Sequence, residues 1–208
     1  MVDKAKEDGR RKPKQARAKA TVDVLLEAAA RLMAEEGAAA LTTTRIAKRA
    51  GTSVGSVYQY FPDREAIAVA LVEDRALRLA DTARDELRKL MSSPLEDLMP
   101  KSVETLIDLY RENRAVLIDL VDTDPNLRLI AQTLAAELLN FSTYKGYLAR
   151  HLEARGREDL ELAVRITGLV GVSAARAFVA APEEPVEKDV FAREVGKMLS
   201  DYLSAGDD

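Results

Sequence analysis

Residues 42–61 read TTTRIAKRAGTSVGSVYQYF, and how this stretch is parsed decides the fold. One parsing starts from Gly51-Thr52-Ser53-Val54-Gly55, which fits G-x-S-x-G, the turn that presents the nucleophile of a serine hydrolase. Carboxylates and then His151 follow Ser53, so the chain order permits a triad. That turn needs a buried strand before it, in a parallel sheet. Here Arg45, Lys48 and Arg49 precede it at helical spacing, and the rest of the chain offers no set of strands. His151, between Arg150 and Arg155 near a helix end, is accounted for by the helix dipole alone.

The second parsing makes Thr42–Ala50 and Val54–Phe61 two short helices joined by a tight turn at Gly51-Thr52. Ile46, Ala47 and Ala50 then face inward from the first helix, and Val57 and Phe61 from the second. Alanine lets the two backbones approach closely, and Gly51 accepts a left-handed conformation. Ser56–Phe61 also alternates like a strand, but Val54, Val57 and Phe61 keep helical spacing and no partner strand lies nearby. Small and polar groups, Ser53, Gly55, Ser56 and Gln59, are left outward on the second helix. A helix of that kind enters a major groove by its N-terminus.

Working outward, the chain reads as helix nearly throughout. Upstream, Val24, Leu25, Ala28, Leu32 and Met33 recur at spacings of three and four, up to a glycine stop at Gly37. Residues 1–15, with Gly9 and Pro13, read as a flexible basic arm. Downstream, Asp63 caps a long helix to about Met91, with Val69, Val72, Ala76, Leu79, Ala83, Leu87 and Leu90 on one face. Ser93-Pro94-Leu95-Glu96 predicts a capping box, and Pro100 a kink or break in the helix behind it. A short helix over Ala115–Val121 precedes the Asp124-Pro125 cap of the next one, which runs to about Arg155. Helices over about Glu158–Ala180 and Val186–Leu203 close a set of nine.

Composition removes whole classes of function. The 208 residues include no cysteine and one histidine, which excludes disulfide frameworks, thiol catalysis and His- or Cys-built zinc sites. No metal or cofactor is expected. The basic N-terminus has no apolar run behind it, so it does not read as a signal peptide. Leu160–Ala181 carries Glu161, Arg165 and Arg176, which argues for a buried helix over a membrane crossing. The expected location is the cytoplasm. The net charge of -4 conceals an asymmetry: residues 1–64 hold 13 Lys and Arg against 8 Asp and Glu, the remainder 18 against 27. A basic end on an acidic body suits contact with a polyanion at that end only.

The stretch resembles the DNA-binding segment of TetR-family transcriptional regulators, whose pattern is close to T-x-x-x-I-A-x-x-A-G-V-S-x-G-x-x-Y-x-Y-F-x-x-K. Thr42, Ile46, Ala47, Ala50, Gly51, Ser53, Gly55, Tyr58, Tyr60 and Phe61 match it. Thr52 replaces the usual valine and Arg64 the usual lysine; the first keeps the shape and the second the charge. The motif covers residues 42–64, and the resemblance extends more loosely to the rest through length and helix number.

The resemblance implies an all-α homodimer with a three-helix DNA-binding domain at residues 16–62 and a ligand-binding and dimerisation domain at 63–208. It implies a repressor released from a palindromic operator by a small molecule, with no catalysis. Thr42, Thr43, Tyr58, Tyr60 and Arg64 would contact phosphates. Gln59 suits adenine, Ser53 and Ser56 suit several bases, and Arg45 suits guanine or phosphate. Val54 would meet a thymine methyl or join the core, Gly55 would permit close approach, and Thr52 lies at the turn. Lys14 and Arg17 would follow the backbone or a minor groove. Polar or aromatic residues interrupting apolar faces, Tyr110, Gln132, Asn140, Phe141, Tyr144 and Arg165, are ligand candidates. In the last two helices Gly168, Gly171, Ala174 and Phe178, then Phe191, Val195, Met198 and Tyr202, fit a four-helix dimer interface. Leu160–Ala181, apolar all round, is expected to be buried on every side. The remaining alternative is a helical protein-interaction module that does not bind DNA.

Overall fold

The computed structural model describes residues 4–138, 146–148, 159–181 and 186–204. The described residues form eight α-helices and no strand, in two compact units that divide between Leu71 and Val72. The first unit holds α1 (Lys4–Glu36), α2 (Thr43–Ala50), α3 (Val54–Tyr58) and the opening of α4 (Arg64–Leu90). The boundary lies inside α4, beyond the position read from sequence, because Ile67 and Leu71 of its first two turns are buried.

The first unit folds around Leu25, Ala29 and Leu32 of α1, Ile46 and Ala47 of α2, and Val57 of α3, all at 3% exposure or less. Each leucine, isoleucine or valine side chain among these contributes on the order of 2 kcal/mol of burial. Glycine stops α1 as its sequence implies: Gly37 has φ 76°, and its N–H donates to Met33 O at 2.9 Å. The basic N-terminal segment departs from expectation. Helix α1 begins at Lys4 and continues through Gly9 and Pro13. Strong helix formers (Lys, Arg, Ala, Gln) surround those two residues, and a single proline removes only one intrahelical hydrogen bond.

In the second unit α5 (Leu95–Glu112) is central, packed along α8 (Lys188–Ser204) and α7 (Leu160–Ala180), with α6 (Pro125–Leu138) following a loosely wound segment. Ala115–Leu120 forms a wide π-type turn and Val121–Thr123 a 3-10 turn, where a short α-helix is expected from sequence. Asp124 caps α6 as predicted, accepting from the N–H of Asn126 at 2.8 Å, and Asp63 caps α4 from Ala66 at 2.7 Å.

Two further expectations about this unit fail, and that of a kink or break at Pro100 fails as to the break. Pro94 is the residue preceding α5 and no side chain caps that helix, so the Ser93 capping box does not form; Ser93 O instead accepts from the Tyr147 hydroxyl at 2.6 Å. Pro100 does not break α5. A Cβ placed on Gly196 of α8 would fall on the backbone of Pro100 and 2.7 Å from its Cδ, so the two helices touch at their backbones. Nor is α7 buried all round: Leu162 and Leu169 are 56% and 57% exposed.

Buried polar groups are satisfied locally. Ser102 donates to Leu98 O, Thr167 to Ala163 O and Ser200 to Leu95 O. Lys188 opens α8, the unfavourable end for a cation, and Asp108 and Glu104 of α5 offset this at 2.9 and 3.2 Å. The hydrogen bond to Asp108 is the main reason its ammonium pKa is raised.

Candidate nucleic-acid interface and ligand cavities

The helix–turn–helix is assembled from local caps. Thr42 Oγ1 accepts from the Arg45 N–H at 3.4 Å and starts α2. Gly51 ends it in the left-handed region, φ 67° and ψ 33°, with the Thr52 N–H donating back to Ala47 O at 2.9 Å. Two residues on, Ser53 Oγ accepts from the Ser56 N–H at 3.1 Å and starts α3. Ser53 therefore follows a helix and caps another, without the strand that a nucleophile elbow requires. His151 lies outside the described residues.

With Val57 and Phe61 buried, α3 and the turn after it expose Ser53, Gly55, Tyr58 and Gln59. Thr52, Val54, Ser56 and Tyr60 are half-buried, and α3 ends at Tyr58 instead of Phe61. Thr43 Oγ1 donates to the Tyr58 hydroxyl at 3.5 Å, which brings α3 against the start of α2. The first N–H groups of α2 point out of that end with no intrahelical partner, beside two hydroxyls, a combination suited to a phosphate.

The cations are arranged in ways the sequence does not reveal. Arg45 pairs with Glu36, and Arg49 with Glu35, so the end of α1 holds two arginines of α2. The Arg49 hydrogen bond keeps the Glu35 carboxyl below its usual pKa and raises that of the guanidinium. Arg64 donates from Nε to Leu41 O at 2.9 Å and from Nη2 to Ala38 O at 3.1 Å, fastening the segment between α1 and α2. Lys48, absent from the sequence-derived set, is exposed on α2 and has no ion-pair partner among the described residues.

Two cavities of the second unit share Leu79, Tyr110 and Val172. One is a slot of about 60 Å³ between apolar side chains of α4, α5, α7 and α8. The other is wider, about 440 Å³, and carries Arg128, Gln132, Ser173 and Arg176. Of the ligand candidates, Tyr110 lines both and Gln132 the wider one, whereas Arg165 is exposed on α7 and lines neither. Asn140, Phe141 and Tyr144 lie outside the described residues.

Several interface candidates are used within the chain. Phe178 and Phe191 stack at 4.6 Å between centroids, Arg111 lies over Phe178, and Gly171 sits against Leu199. Gly168 lines the slot. Ala174, Val195 and Tyr202 are half-buried, and Met198 is 52% exposed.

Residues 25–71, which span this helix–turn–helix, match the bacterial regulatory proteins of the tetR family. Its helix–turn–helix is thus of the TetR type. The chain is 35% identical over 74 residues to the HTH-type transcriptional repressor AcnR of Corynebacterium efficiens, covering 35% of this chain and 39% of that protein. The uncharacterized HTH-type transcriptional regulator Rv1255c of Mycobacterium tuberculosis is 31% identical over 109 residues, 52% of this chain and 53% of its own length. The match thus spans about half the length of that relative. A TetR-family regulator of Mesorhizobium loti superposes with a TM-score of 0.66 at 19% identity, over 90% of this chain and 97% of the other. At that identity the likeness establishes the shared fold, an N-terminal helix–turn–helix followed by a helical domain.

Proposed function

We propose that this chain is a sequence-specific transcriptional repressor that binds a palindromic operator as a homodimer and is released by a small molecule, without catalysis. The observation that carries the reading is the exposed row Ser53, Gly55, Tyr58 and Gln59 beside the hydroxyl-bearing start of α2. Nothing in core packing calls for Tyr58 to be 54% exposed. Phosphate contacts from Thr43, Tyr58 and Tyr60 would set the register, and Gln59, Ser56 and Arg45 would read base edges. Arg45 would have to exchange Glu36 for DNA, whereas Arg64, tied to two carbonyls, would act mainly by holding the domain together.

Leu162, Leu169 and Met198 support the dimer, since large side chains so exposed on the last two helices suit a second copy. Two copies would present recognition helices about 34–36 Å apart, or a multiple of that. Glu161–Ala180 is long and apolar enough to cross a membrane, but Arg165, Arg176 and its packing on α5 favour a cytoplasmic protein. The cavities of the second unit are where an effector would bind, and its differential affinity for two states would change DNA affinity.

Selection of fragments from a random DNA pool, at two salt concentrations, tests the reading. Enrichment of one palindrome, lost when Tyr58 and Gln59 are both replaced by alanine, is expected. Sequence-blind retention that disappears with salt would mean that the basic segment alone binds, and would leave a protein-interaction module.

A further inference from the structure

The cavities of the second unit narrow the chemistry of what they hold. The slot presents almost only apolar surface, including Ala83, Met99, Val103 and Leu199. Two of its three hydroxyl residues, Ser102 and Thr167, already donate their protons to Leu98 O and Ala163 O at 2.6 and 2.7 Å. Water inside it would find few partners, and apolar voids of this kind stay dry. At about 60 Å³ it is well below the roughly 150 Å³ of a void that takes up benzene, so an unbranched tail displaces less of the lining than a ring would.

The wider cavity differs in charge. Arg128 and Arg176 both pair with the same Asp122 oxygen, at 3.2 and 2.5 Å. One carboxylate between two guanidiniums leaves a net charge of one positive unit. Tyr110 stands where the two cavities meet: it is 7% exposed, lines both, and its hydroxyl has no hydrogen-bond partner among the described residues. Among the described residues no fully buried side-chain nitrogen or oxygen lacks a partner. The Tyr110 hydroxyl must therefore open onto the cavity space. A phenol so enclosed normally finds an acceptor, and burial raises its pKa, which keeps the proton available for donation.

We propose that the slot and the wider cavity form one site for a slender amphipathic monoanion, an alkyl carboxylate. Its head lies among Arg128, Arg176 and the Tyr110 hydroxyl, and its hydrocarbon tail in the slot. The head competes with Asp122 for the two guanidiniums, and Tyr110 donates to it at the junction. This assignment rests on the reading of the second unit as effector-binding.

Calorimetric titration of the full chain with decanoate, decan-1-ol and decyltrimethylammonium, all below micellar concentrations, tests it. Decanoate is expected to bind once per chain and at least tenfold more tightly than the alcohol, with no binding of the cation. Arg176→Gln should weaken decanoate tenfold or more and leave the alcohol unchanged. Asp122→Asn, which removes the internal competitor, should tighten decanoate severalfold. Ala83→Leu should move the preferred chain length from decanoate towards hexanoate, with melting temperatures confirming that each variant folds. Equal affinity for acid and alcohol, or weaker binding in Asp122→Asn, overturns the assignment. Retention of the selected DNA fragment with and without decanoate separates the two readings. Binding with the expected selectivity but unchanged DNA affinity would uphold the site and sink ligand release. Absence of decanoate binding with intact DNA retention would sink the site and leave the DNA-binding reading standing.

Discussion

The two units of this chain place function in opposite kinds of structure. In the first, the residues that matter lie within about twenty positions of one another and are held by caps and a glycine turn. In the second, the cavity draws Leu79, Tyr110, Arg128 and Arg176 from four different elements. A short helix that must expose a polar row writes that row into a continuous stretch of sequence. A cavity is the space left between helices, and no local pattern encodes it.

Four changes would break or sharpen the contrast. The largest effect is expected in the second unit, from Gly196→Ala, because the new Cβ would overlap the backbone of Pro100. A loss of about 3 kcal/mol, the upper end for overpacking, is expected in denaturant unfolding. If the midpoint does not move, the close helix contact is wrong. Next is Tyr58→Ala with Gln59→Ala in the first unit, which should weaken operator binding by about 2 kcal/mol, roughly thirtyfold. Since both side chains are exposed, the melting temperature should hardly change; a large drop would make them structural residues.

Gly51→Ala should cost on the order of 1–2 kcal/mol, because an L side chain is strained at φ 67°. Equilibrium unfolding of the variant beside the parent checks this, and a neutral result would mean that the turn relaxes. The smallest effect concerns Glu35. Its folded pKa lies below the ordinary 4.5, so the unfolded chain binds the proton more readily. The pair with Arg49 therefore adds stability above about pH 4.5 and loses it as pH falls through the lower folded value. Glu35→Gln should flatten that part of the stability profile, and an unchanged profile would show that the pair contributes nothing.

Much of the first unit was legible because its signals are short. Gly51 announces the turn, Asp63 the start of α4, and Val57 with Phe61 the buried side of α3. The partners of its arginines were not legible. Glu36 and Glu35 lie 9 and 14 residues from Arg45 and Arg49, and the carbonyls held by Arg64 lie 23 and 26 residues back. The sequence thus shows Arg64 as a cation at a helix start and not as the clasp between α4 and the segment after α1. In the second unit Asp124 was legible as a cap and Tyr110 as a polar interruption of an apolar face. The meaning of Pro100 was not, because it depends on Gly196, which packs against it from another helix. Arg128 escaped notice and Arg176 counted only against a membrane crossing, because nothing in the sequence shows that Asp122 brings them together.

The contact between α5 and α8 rests on one omission, the side chain missing from Gly196, where an added Cβ would meet first the backbone N and Cα of Pro100. Every residue carries those two atoms, so the constraint runs one way. Descendants of this chain should keep glycine at position 196 even where position 100 changes.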